Sequence, residues 1–217
     1  DSRKNLNSKQ KREQRAHQKL ILTNKQMKKL PILLCLSALI AIVSSCKLDP
    51  EEDAWEYYED WRNENQTWLQ QQAARTNDDG TPYYKTVVPD WDAGAYVLIH
   101  YFNDRNATAG NLSPLYTSTV DIKYKGQLYN DVAFDSSYTQ TAYGDSIARS
   151  QVNGFISGFS IAMMDMHVGD SCEVLIPYQQ GYGSTGSYLG EVPIYPYSNL
   201  KFHIRLVDIP GYEKPAR

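Results

Sequence analysis

Residues 154–176 read GFISGFSIAMMDMHVGDSCEVLI, and the hydrophobic period changes within them. Phe159, Ala162, Met163 and Met166 recur at i, i+3, i+4 and i+7, which predicts a short helix over 158–169 with one buried face and Gly169 fit to end it. SCEVLI (171–176) then has the composition of a strand. A short helix beside a strand needs a sheet to lie against. LKFHIRL (200–206) supplies part of it, with Leu200, Phe202, Ile204 and Leu206 on one face and Lys201, His203 and Arg205 on the other. That is the alternation of a half-buried antiparallel strand. YVLIHYF (96–102) and VDIKY (120–124) are further strands, so the expected fold class is α+β, several antiparallel strands with one short helix covering a sheet face.

The charge is divided along the chain. Residues 1–45 hold ten Lys/Arg and two acids, whereas residues from Cys46 onward hold 12 Lys/Arg and 23 Asp/Glu, a balance of −11. An acidic body excludes the cationic phosphate contacts on which nucleic-acid binding depends. The basic front end reads as targeting: MKKLPILLCLSALIAIVSSC (27–46) has a cationic start, an apolar run from Leu30 to Val43, and small residues before a cysteine. This is the plan of a secretory signal peptide, its apolar core short for a membrane span. VSSC resembles a bacterial lipobox, which implies lipidation at Cys46; an ordinary cleaved signal is the alternative. Residues 1–26 are expected to be an over-extended, disordered N-terminus, residues 27–45 the signal, 46–82 a tether and N-terminal helix, and 83–217 the globular domain. The expected location is the cell envelope, lipid-anchored at the outer membrane and facing periplasm or cell surface. KLDPEED, behind Cys46, resembles the tethers of Bacteroidetes surface lipoproteins, or is a solvated linker.

DAWEYYEDWRNENQTWLQQQAAR (53–75) has no Gly or Pro and sets Trp55, Tyr58, Trp61 and Trp68 at helical spacing. This predicts one helix with an aromatic face, packed on its own domain or turned to a partner. NDDGTP (77–82) ends it in a turn. Cys35 falls in the signal, and Cys172 stands alone in the domain as a small core residue, so no internal disulfide is expected.

Several chemistries lack their residues. There is no phosphate-binding loop, dinucleotide fingerprint or G-x-S-x-G elbow, and His17, His100, His167 and His203 lack metal-ligand spacing. No cofactor and no metal are expected. GYGSTGSYLG (181–190) reads as a long surface loop. What stands out is aromatic: Tyr124, Phe134, Phe155, Phe159, Tyr182 and Phe202, lining a binding pocket or filling a core. Asp135, in DVAFDSSY (131–138), is an acid or base, a metal ligand or a turn residue on this evidence.

VDIKYKG, FDSS, GFISGF, MHVGD, GYGSTG and YSNLKFHIRLVDI occur in that order over about residues 95–209. Together they resemble the FKBP-type peptidyl-prolyl cis-trans isomerases. The resemblance implies a twisted antiparallel sheet wrapped on one short helix. It implies that Tyr124, Phe134, Asp135 and Tyr182 form the catalytic site, and that Phe155, Ile156, Phe159, Ile194 and Phe202 bind substrate. Phe159 stands where the family has tryptophan, and Ala162 where it has glycine. EVPIYPYSN (191–199) carries about three extra residues, which leaves Val192 and Ile194 as alternatives for one apolar position, and Tyr143 is a candidate for a further aromatic. The implied activity is rotation of X-Pro bonds in unfolded or nascent envelope proteins, with macrolides as inhibitors and Asp135 as the polar wall of an apolar cup. The Ile156 N–H and the Tyr182 hydroxyl are the implied donors to substrate carbonyls. A non-catalytic chaperone or binding module of a cell-envelope complex is the alternative, and a surface adhesin a third.

Overall fold

The computed structural model describes residues 50–211. Residues 1–26, the signal segment 27–45 with Cys35, and the lipidation candidate Cys46 lie outside the described residues. Seven strands form one antiparallel sheet: β1 (Lys85–Val87), β2 (Val97–Tyr101), β3 (Thr119–Leu128), β4 (Ala133–Ser136), β5 (Ala148–Gln151), β6 (Ser171–Ile176) and β7 (Leu200–Asp208). The order is β1-β2-β6-β7-β3-β4. β3 is the hub: β7 pairs along one edge, while β5 and β4 divide the other. Among the described residues four helices accompany the sheet: α1 (Pro50–Tyr57), α2 (Glu59–Ala73), α3 (Arg105–Thr108) and α4 (Ser157–Asp165).

The expected alternation holds in β7, where Leu200, Phe202, Ile204 and Leu206 are buried and the residues between them are not. Against them pack Phe159, Ile161, Ala162 and Met163 of α4, and Met166 beyond it. Full burial of such a side chain is worth about 1.5–3 kcal/mol, so this helix–sheet contact holds most of the core together. β2 does not alternate. Val97 and Ile99 join the cluster under α4, but Leu98 joins a second cluster with Tyr84 and Leu175, onto which Trp68 and Leu69 of α2 pack. With apolar neighbours on both sides, the strand reads as a continuous apolar run.

Two expectations about helices are corrected, and one short helix is added to them. α4 ends at Asp165, not Gly169, because Met166 is already extended (φ −84°, ψ 156°). Residues 167–170 instead wrap the buried Asp170 carboxylate, which accepts the His167 N–H at 2.7 Å, the Thr108 hydroxyl at 2.5 Å and Asn103 Nδ2 at 2.9 Å. Burial alone would raise this carboxyl, but the hydrogen bonds and nearby Arg105 hold it below the usual range. Thr108 comes from the one-turn helix α3, which its polar sequence did not announce. The single helix expected over 53–75 is two helices, broken at Tyr58 (φ −97°, ψ 20°).

α2 packs on its own domain. Asn65 is 1% exposed; its Oδ1 accepts the Asn199 N–H at 2.8 Å, and Asn199 Nδ2 donates to the Asn65 carbonyl at 2.7 Å. Trp61 Nε1 donates to Ser198 Oγ at 3.0 Å. Among the described residues no helix is long and apolar enough to cross a membrane. Asn65→Ala leaves the buried Asn199 N–H without its acceptor and is expected to cost about 1–3 kcal/mol. Urea unfolding should show a lower midpoint at unchanged slope; an unmoved midpoint would mean that the pair does not hold the helix.

Candidate active site

Tyr124 and Gly126 lie two residues apart on β3 and so face the same side. Gly126 is opposite Phe202 of β7 and Asp135 of β4. A Cβ at position 126 would stand 2.7 Å from both Phe134 Cζ and Phe202 Cε1. The missing side chain therefore makes room for these two rings, which meet edge to face at 5.6 Å.

Phe134 and Asp135 are consecutive, so a regular strand would send them to opposite faces. The β3–β4 register shifts here: Gly126 pairs with Asp135 and Gln127 with Ala133, leaving Phe134 as the extra residue of a bulge. A bulge re-aims a side chain, and both residues reach the same cluster. Phe134 meets Phe202, while Asp135 Oδ2 accepts the Tyr124 hydroxyl at 2.7 Å. Ser137 is fully buried and clamps Tyr124. It accepts the Tyr124 N–H on Oγ at 2.9 Å and donates its own N–H to the Tyr124 carbonyl at 3.0 Å.

Phe159 of α4 forms the floor. Its ring lies 4.5 Å from Phe155, 5.2 Å from Phe202 and 6.0 Å from Tyr124. Ile156 immediately precedes α4, and its N–H meets no acceptor among the described residues. Tyr182 follows the 3-10 turn Tyr178–Gln180 and is half-buried; its hydroxyl likewise has no described partner. Ile194 is 4% exposed and tied to Ser187 by reciprocal backbone bonds of 2.7 and 2.8 Å, whereas Val192 is only partly buried. Tyr124, Phe134, Phe155, Ile156, Phe159, Tyr182, Ile194 and Phe202 thus share one cluster, with Asp135 bonded at its edge. Tyr143 does not join it; 52% exposed, it carries the Arg149 guanidinium 4.5 Å from its ring centroid.

The loop that bears Tyr182 and Ile194 is braced from behind. Trp61 meets the Tyr195 ring at 5.5 Å and Tyr58 meets it at 6.0 Å, while the Tyr58 and Tyr188 hydroxyls are 3.3 Å apart. The aromatic face foreseen on the N-terminal helix is spent partly on this loop.

Burial, then the hydrogen bond to Asp135 and its charge, push the Tyr124 phenol far above its usual range. Burial and the Asp135 charge raise Tyr182 as well. Burial pushes the Cys172 thiol up, consistent with an inert core residue. Among the described residues no three His, Cys, Asp or Glu side chains group as metal ligands.

The model of the FKBP-type peptidyl-prolyl cis-trans isomerase family matches residues 111–207. FK506-binding protein 2 of Aspergillus oryzae is 35% identical over 99 residues, 44% of this chain and 68% of that protein. The chain belongs to the FKBP-type peptidyl-prolyl cis-trans isomerase family. The FKBP-type 22 kDa peptidyl-prolyl cis-trans isomerase of Escherichia coli (strain K12) is 36% identical over 96 residues, 44% of this chain, which spans only 43% of that relative. A peptidyl-prolyl cis-trans isomerase structure from Pseudomonas syringae pv. tomato shares the FKBP fold at 23% identity, with a TM-score of 0.54 over 70% of this chain and 94% of that one. The family match begins after β2, so α1, α2, β1 and β2 lie outside it.

Gly126, Ser137 and the Asn65–Asn199 pair were not foreseen from sequence. Gly126 lay inside VDIKYKG and Ser137 inside FDSS, so their motifs were visible while their tasks were not.

The raised phenol makes Tyr124 a stability term with a definite sign. Its contribution is full below the ordinary phenol value of about 10 and is lost as pH climbs towards its folded value. In an alkaline absorbance titration, Tyr124→Phe should remove one late-ionising tyrosine, and Asp135→Asn should move that ionisation to lower pH. An Asp135→Asn titration identical to that of the parent would refute the hydrogen bond in solution.

Proposed function

We propose that the protein accelerates cis-trans rotation of X-Pro bonds in extracytoplasmic polypeptides. The observation that carries this is the convergence of the aromatic cluster on one polar pair, Tyr124–Asp135, beside two unpaired donors, the Ile156 N–H and the Tyr182 hydroxyl. The reaction makes no covalent intermediate. The rotation barrier of about 18–20 kcal/mol is amide resonance, and exchange without help takes tens of seconds or more. A twisted amide has lost that resonance and is less polar than the planar ground state. An apolar cup therefore favours the transition state over the substrate.

In this mechanism Phe159, Phe202, Phe134 and Tyr124 hold the proline ring. Ile156 N–H and Tyr182 Oη donate to substrate carbonyls and fix the peptide in register. Asp135 orients Tyr124 and adds a fixed negative wall; it transfers no proton. Ile194 and Phe155 close the rim. The secretory pattern in residues 27–46 supports an envelope location with a lipid at Cys46, and proline-bearing unfolded envelope proteins as clients. Macrolide inhibitors are expected to compete for the same cup. The alternative, a non-catalytic FKBP-like chaperone or binding module of a cell-envelope complex, is favoured by Phe159, a smaller ring than the family tryptophan.

A protease-coupled X-Pro peptide assay on the protein tests the enzyme. Asp135→Ala is expected to lower kcat/KM about tenfold, roughly 1.4 kcal/mol of barrier, without altering the pH profile around neutrality. Turnover no faster than with denatured protein, over several residues preceding proline, would leave the binding module standing. Cys46→Ser should shift the protein from the membrane to the soluble fraction of expressing cells; an unchanged distribution would remove the lipid anchor.

A further inference from the structure

Phe155 has two neighbourhoods. Its ring lies against Phe159 in the aromatic cluster, and it also walls a cavity beside α4, of about 520 Å³, with Ser157, Ser160, Met164, Trp91 and Tyr116. That volume falls within the range of about 300–1,000 Å³ typical of ligand sites. Trp91 arrives from the β1–β2 connection and Tyr116 from the α3–β3 connection, and they are 59% and 53% exposed. Two large rings left in solvent on separate loops thus converge on one helix face.

The chemistry of the lining is apolar. It holds no charged side chain, and the Ser160 hydroxyl is already donated to the Val152 carbonyl at 2.7 Å. Met164 adds an adaptable thioether between the rings, suited to occupants of more than one shape. The Ser157 and Tyr116 hydroxyls and the Trp91 N–H are the polar groups along it, with no cation to hold an anion, and its rings and thioether suit an aromatic or large aliphatic side chain.

The position specifies what delivers that side chain. Ile156 lies between Phe155 and Ser157, both of them walls of the cavity, and its N–H is unpaired. A peptide carbonyl held there puts the client chain at the edge of the cavity. An extended chain advances about 3.3 Å per residue, so side chains one to three residues from that carbonyl come within roughly 10 Å of it. We propose that this cavity is a second subsite for the client, taking an apolar or aromatic side chain near the isomerised proline in sequence. The inference rests on the isomerase reading above and narrows it: the cavity reads a side chain two or three residues from the proline, separately from the residue that directly precedes it.

The test uses the protein and two peptide series with the residue before proline held constant, one with alanine around X-Pro and one with phenylalanine placed two or three residues to either side. At the best spacing phenylalanine should lower KM about tenfold, with kcat unchanged. Trp91→Ala and Met164→Glu, neither in the catalytic cup, should abolish that gain while leaving turnover of the alanine series intact. Equal KM for both series in the parent protein would overturn the subsite, as would variants that slow both series alike. If no peptide is turned over, the isomerase reading fails by itself. The cavity is then judged by calorimetric titration with the phenylalanine peptide: binding lost in Met164→Glu sustains it, and binding unchanged or absent in the parent overturns it. Self-association or vesicle binding that Met164→Glu removes, with no effect on peptides, would assign the cavity to a second copy or to lipid and overturn the proposal.

Discussion

The ring of Phe159 is in contact with the helix turn before it, the sheet beneath it and the site above it. It lies against Phe155 at 4.5 Å, Phe202 at 5.2 Å and Tyr124 at 6.0 Å. These partners come from the approach to α4, from β7 and from β3, so the packing of one buried aromatic fixes how the helix sits on the sheet. Because interiors are close-packed, that seat leaves little freedom for the rings around it. The same contact that closes the core therefore shapes the cup.

Polar groups enter this apolar setting through two local devices. The bulge at Phe134 turns Phe134 and Asp135 towards one cluster, which a regular strand cannot do with neighbouring residues. Gly126 leaves the volume that the Phe134 and Phe202 rings occupy. Ser137 then locks the Tyr124 backbone from behind. Asp135 finds its partner in Tyr124, and the pair presents a protonated phenol and a carboxylate at the rim. The Tyr124 hydroxyl is held in place by that hydrogen bond.

The N-terminal helices belong to the same construction, although they lie outside the family match. Asn65, the buried polar residue of α2, is bonded to Asn199, and Trp61 to Ser198. Both contacts fall just before β7 and beside the loop that carries Tyr182 and Ile194. The extra residues of that loop meet Tyr58 and Trp61 through the Tyr195 ring, so the loop is held partly by a segment that lies before the matched residues.

The strand alternation of β7, the helical spacing of Phe159, Ala162, Met163 and Met166, and the order of six motifs were legible in the chain, because side-chain period follows directly from backbone geometry. Family membership was legible for the same reason: it resides in local patterns. Only the tertiary structure decided the rest. The chain after α4 is held by a buried carboxylate two of whose donors lie 62 and 67 residues away in the chain. The continuous burial of β2 was set by a helix on its second face, the break at Tyr58 appeared only in the fold, and Ile194 entered the core where Val192 did not. Each of these depends on groups far apart in sequence meeting in space. Periodicity reports which face of an element is apolar, but not what arrives to cover it.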